Sequence, residues 1–71
     1  MSKALVENVN AYCKNNNLSV KAFERTCHIP NGSIHKYRNG IYKSPNLRTL
    51  QKIEEATGIP ASKWISDGGV A

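Results

Sequence analysis

The 71-residue chain predicts an all-α fold, a compact bundle of about five short helices. Three observations carry that expectation. Apolar residues recur at spacings of three and four over Leu5, Val6, Val9, Tyr12 and Cys13, over Val20, Phe23 and Cys27, and over Leu47, Leu50, Ile53 and Ala56. That is the period of a helix with one face turned to a core. No segment alternates apolar and polar residues over more than a few positions, as a half-buried strand would. Capping residues and glycines stand at the ends of the periodic runs, where helices start and stop.

Ser2 is placed to cap the first helix, and "KNNNLS" (14–19) ends it, because asparagine competes with helical hydrogen bonds and tolerates left-handed geometry. Ser19 caps the second helix, with Val20, Phe23 and Cys27 facing one way. "CHIPNGSIHKYRNG" (27–40) is rich in turn formers, yet Ile34, Tyr37 and Ile41 keep the helical spacing. Pro30 reads as a start signal, since proline suits a first turn, and Gly40 as a stop. The expected third helix runs from about Asn31 to Asn39. "NGIYKSPN" (39–46) is a loop, Asn46 caps the fourth helix and Gly58 stops it. "GIPASKW" (58–64) repeats the Ile-Pro entry, so a last helix is expected from about Ala61 to Ser66, with Trp64 and Ile65 folding back on the core. The expected organisation is a single domain over residues 1–67 and a flexible tail over 68–71, where Gly68 and Gly69 stand. A chain of this size buries only about 60% of its unfolded surface, so the core is small.

The net charge of +5 is unevenly placed. Between Arg25 and Ile53 there is no acid, while Arg25, Lys36, Arg38, Lys43, Arg48 and Lys52 all lie there. That block carries +6, and four basic against five acidic residues leave the remainder at −1. A polyanion, nucleic acid first, is the natural partner of such a patch. No run approaches the roughly 18 apolar residues of a membrane span, and the amino terminus lacks the apolar centre of a secretory signal, so a cytoplasmic location without membrane contact is expected. Cys13, Cys27, His28 and His35 lack the close pairs of zinc modules, so no metal or other cofactor is expected and the cysteines read as core. Neither histidine has a carboxylate or nucleophile at a suggestive spacing and there is no phosphate-cradling glycine loop, so an enzyme or a small-molecule site is not expected.

With Ile34, Tyr37 and Ile41 inward, Gly32, His35, Lys36 and Asn39 follow on the outer side of the third helix, with Asn31 at its open end. Short polar groups and a lysine suit close approach to a DNA major groove. A helix, a turn of about four residues and a second helix with a polar outer face form a helix-turn-helix arrangement. At that point "NNNLSVKAFERTCHIPNGSIHKYRNG" and "SPNLRTLQKIEEATGIPASKW" resemble the lambda-repressor-like, Cro and XRE type of domain over nearly the whole chain, from about Leu5 to Ile65. Leu18-Ser19 opens the second helix as in that family, His28-Ile29-Pro30 takes the place of its Gly-Val-Ser turn, and Pro45, Leu47, Leu50 and Ile53 match its fourth helix.

The resemblance implies base contacts at Asn31, Gly32, His35 and Lys36, a phosphate contact at Asn39, and a backbone-following loop with Tyr42, Lys43 and Asn46; Ser33 and Lys21 complete the expected DNA-binding set. Two departures stand out. Val20 holds the position where a phosphate-contacting glutamine often begins the second helix, and Glu24 replaces a small residue, either to meet the positive end of the third helix or to repel phosphate. The expected function is sequence-specific binding of duplex DNA by a transcription regulator of phage or bacterial repressor type, as a homodimer or with a larger repressor. The alternative is a modulator of a genetic switch that pairs with a larger repressor through the same surface.

Overall fold

Helix ends, more than helix interiors, set the course of this chain. The computed structural model describes residues 3–70, and among them five helices form: α1 (Lys3–Asn15), α2 (Val20–Thr26), α3 (Ser33–Arg38), α4 (Leu47–Thr57) and α5 (Ala61–Trp64). The expected cap Ser2 lies outside the described residues. The first three helices stop in the same way. A residue with positive φ follows the last turn, at Asn17 (54°), His28 (60°) and Gly40 (79°). The next N–H then reaches back five positions: Leu18 to the Cys13 carbonyl at 2.8 Å, Ile29 to Glu24 at 3.0 Å and Ile41 to Lys36 at 2.9 Å. This pattern satisfies carbonyls that a helix end would otherwise leave bare. Glycine takes the left-handed conformation freely and asparagine readily, whereas a residue with an ordinary side chain gives up about 1 kcal/mol or more. His28 occupies such a place. Gly58, at φ 74°, ends α4.

The starts follow from capping chemistry. Ser19 Oγ accepts from the Ala22 N–H at 3.0 Å and Asn46 Oδ1 from the Thr49 N–H at 2.7 Å, each taking up a donor of the first turn. The helices enclose a core of Leu5, Val9, Phe23, Ile34, Ile53 and Trp64. Tyr12, Phe23 and Trp64, from α1, α2 and α5, form a triangle with ring centroids 5.5 to 5.6 Å apart. Trp64 is fully buried and its Nε1–H donates to the Ile59 carbonyl at 3.2 Å, which removes the cost of burying the indole N–H.

Asn8 of α1 holds the far end of the chain. It is 1% exposed, and its Nδ2 donates to the carbonyls of Lys63, Trp64 and Ser66 at 3.1, 2.7 and 2.8 Å, while its Oδ1 accepts from the Val70 N–H at 3.3 Å. Beside it Gly69 approaches the Lys63 carbonyl so closely that a Cβ would overlap it.

Several expectations are corrected. α5 ends at Trp64 and not Ser66: the Ser66 N–H turns to the Lys63 carbonyl three positions back, and Asn8 holds the carbonyls of Lys63, Trp64 and Ser66 from α1. α3 begins at Ser33 and not Asn31, because Pro30 closes a turn onto Ser33 (N–H to carbonyl, 3.1 Å) and Gly32 is left-handed. Pro30 therefore shapes the turn and stands outside the helix, and the connection from α2 is six residues long. Ile41, Leu47 and Ile65 are 64, 68 and 51% exposed, and Ala56 is exposed as well. Ile41 follows the left-handed Gly40, so the helical phase of Ile34 and Tyr37 no longer applies to it. Leu47 and Ile65 flank their helices at the first residue and just past the last, where the apolar stripe has no continuing turn.

Among the described residues no helix is long and apolar enough to cross a membrane. Among the described residues no group of three His, Cys, Asp or Glu side chains could hold a metal ion. Cys13 and Cys27 are free and buried. Burial, with a smaller contribution from Cys13, pushes the Cys27 thiol up from 9.0 to about 11. Burial and then Glu24 raise Cys13.

Two predictions follow from these placements. His28→Gly should raise stability by about 0.5–1 kcal/mol, the relief of left-handed strain less the extra entropy of the unfolded glycine; the urea midpoint reads it, and an unchanged or lower midpoint would contradict the strain. Because the folded Cys27 holds its proton to a higher pH than the unfolded thiol, its contribution is complete below pH 9 and is lost as pH climbs toward 11. Chemical denaturation across that window should show stability falling, and the fall should be shallower in Cys27→Ala.

Candidate nucleic-acid interface

The question left open at Glu24 is decided by two hydrogen bonds. Glu24 is 3% exposed. Its Oε1 accepts from the Gly32 N–H and its Oε2 from the Ile34 N–H, both at 2.9 Å. The carboxylate thus caps the start of α3 from across the turn, where the N-cap residue Gly32 has no side chain to do so. Charge-assisted bonds of this kind contribute more than neutral ones, and the positive end of the helix adds to them. Gly32 must be glycine for its φ of 88° and not to clear space, since a Cβ there would meet nothing within 4 Å. With that backbone, the N–H groups of residues 32 and 34 converge on one carboxylate.

The expected contact residues fall into small groups around this anchor. Lys21 and Asn31 line one depression together with Glu24, Arg25 and Ile29; Lys21 and Asn31 are exposed. His35, Lys36 and Asn39 stand exposed on α3 and just past its end. Asn39 Nδ2 lies 2.8 Å from His35 Nε2, one turn away. Lys36 Nζ sits 5.4 Å from the centroid of the Tyr42 ring, a cation–π distance. Tyr42 in turn packs edge-on against Tyr37, 5.1 Å between centroids. Tyr42 and Lys43 also line a groove with Lys3, Val6, Tyr37 and Arg38.

Two residues of the set point to internal tasks. Ser33 is 3% exposed and its hydroxyl donates to the Pro30 carbonyl at 2.6 Å, so it has no face for a duplex. Gly32 offers backbone only, and its N–H is taken by Glu24. Asn46 is exposed, with its Oδ1 occupied in capping α4.

Sequence reasoning missed Arg25 as a neighbour of Asn31, since the six-residue turn separates them and only the packing of α2 beside the turn brings them to one depression. It also placed Lys52 only within the basic block, whereas its Nζ donates to the His28 carbonyl at 3.3 Å and so ties α4 to the turn. The signal for the Glu24 cap was present as an acid within one helical length of an Asn-Gly pair, but the partner N–H groups lie eight and ten residues away.

A family profile described as helix-turn-helix matches residues 9–64. No curated protein and no solved structure matches the chain significantly.

Glu24→Gln keeps the size of the side chain but turns an amide N–H toward one of the two backbone donors. It should cost about 2 kcal/mol, the range for leaving one buried donor unpaired. Hydrogen exchange should show the loss first at the Gly32 and Ile34 amides; equal protection in both proteins would refute the capping role.

Proposed function

Since the chain belongs to the helix-turn-helix family of lambda-repressor-like, Cro/XRE type, we propose that it is a sequence-specific transcription regulator of repressor type that lays α3 in the major groove of duplex DNA. The observation that carries this reading is the exposed polar edge of Asn31, His35, Lys36 and Asn39 on an element anchored by the buried Glu24 carboxylate. The edge lies inside a block of 29 residues, Arg25 to Ile53, that holds six basic side chains and no acid. Phosphate contacts supply most of the affinity in such a complex and base contacts set the sequence. Glu24 does not oppose this, because its charge is spent on two backbone donors.

Lys21 beside Asn31, and Tyr42, Lys43 and Asn46 along the loop after α3, are the groups proposed to follow the backbone. A domain touching about four to six phosphates binds loosely at physiological salt, so useful affinity requires a second copy or another regulator beside it.

Fluorescence anisotropy with mixed duplex DNA at low and moderate salt tests the reading. The logarithm of the binding constant should fall linearly with log salt at a slope of about −4 to −5, as that number of phosphates implies. Absence of binding at low salt would replace DNA by an acidic protein partner. Within the DNA reading, Lys21→Ala should weaken binding to all sequences alike and reduce the salt slope by about one, whereas Asn31→Ala should cost about 1–3 kcal/mol on the preferred site only. Uniform weakening by Asn31→Ala would move the base-reading edge elsewhere.

A further inference from the structure

The bond between His35 and Asn39 has a consequence for what α3 offers to a base. It joins Asn39 Nδ2 to His35 Nε2 at 2.8 Å. An amide nitrogen only donates. With the Asn39 amide in this orientation His35 Nε2 is the acceptor, which in the neutral ring calls for the single proton on Nδ1. Both residues are exposed, and Nδ1 has no partner among the described residues. The hydrogen-bonding character of His35 is thus set by its neighbour one turn on.

We propose that Asn39 is a positioning residue that holds His35 in the Nδ1–H tautomer, and that His35 thereby reads acceptor edges in the major groove, guanine first. This rests on the reading that α3 enters that groove. Guanine presents two acceptors there, N7 and O6; adenine sets a donor beside its N7, thymine flanks its single acceptor with a methyl group, and cytosine presents a donor. A ring that brings one N–H and no lone pair finds its best partner at guanine. Asn39 acts through His35, so its removal changes which base is preferred and not merely how tightly DNA is held.

Nitrogen-15 NMR of the free protein at about pH 8.5, above the range in which imidazoles ordinarily titrate, reads the tautomer directly. His35 should show a protonated Nδ1 and a bare Nε2, and Asn39→Ala should lose that signature. Asn39→Asp replaces the donor by a carboxylate, which in the neutral ring, at the same pH of about 8.5, draws the proton to Nε2 and leaves Nδ1 as an acceptor. Selection from a randomised duplex pool should then shift one position from guanine to a base with a donor, adenine or cytosine, with the ratio of affinities for the two sequences changed about tenfold. The added negative charge weakens both sequences alike and cancels in that ratio. An Nε2–H tautomer in the wild type, or an unchanged preference in Asn39→Asp, overturns the proposal. Failure of the wild type to bind any duplex overturns the DNA reading and the base assignment with it, whereas wild-type binding with an unchanged preference removes the His35 assignment alone.

Discussion

The turn between α2 and α3 depends on one carboxylate. Glu24 binds that turn three times, its main-chain carbonyl accepting from Ile29 and its two side-chain oxygens from Gly32 and Ile34. A carboxylate only 3% exposed costs several kcal/mol unless its lone pairs are met. Any displacement of α3 would strand that charge as well as two backbone donors. The six residues of α3 are too few to hold a helix by propensity alone. Their geometry comes from the anchor, from the buried Ile34 and Tyr37, and from the Gly40 stop.

The exposed side of α3 is ordered by its neighbours in the same manner. Lys36 lies over Tyr42, which leans on Tyr37, and His35 is bonded to Asn39. Side chains held before a partner arrives give up less rotamer freedom on binding, so more of the contact energy appears as affinity. The loop that carries Tyr42 and Lys43 belongs to this arrangement, because the Tyr42 N–H returns to the Lys36 carbonyl at 3.2 Å and joins the loop to the end of the helix.

What the sequence disclosed divides by range. Caps act within three or four residues, so Ser19, Asn46, Gly40 and Gly58 were legible, and so were the stripes that bury Leu5, Val9, Phe23, Leu50 and Ile53. Helical phase misled at Ile41 and Leu47, because it was carried past a left-handed stop in one case and to the first helical residue in the other. The role of Asn8 was not legible, since a polar residue in a helix looks solvated until its distant partners are known, and that of Glu24 stood between meeting the third helix and repelling phosphate until its two partner N–H groups decided it. For the candidate site, the outer positions of α3 could be listed from spacing, but spacing could not show that Ser33 turns inward, that Arg25 neighbours Asn31, or that His35 and Asn39 are coupled.

The clasp at Asn8 bears on how the molecule assembles over time. Its partners lie 55 to 62 positions along the chain, whereas the caps and stops close within a few residues. Local contacts form in the early moments of a search, and contacts of such span follow once the intervening helices have gathered. Interactions that are absent from a transition state act on the rate of opening rather than of collapse, and the span of its bonds would set Asn8 in that class. A lone asparagine amide thus ties the first helix to the turn that follows the last one.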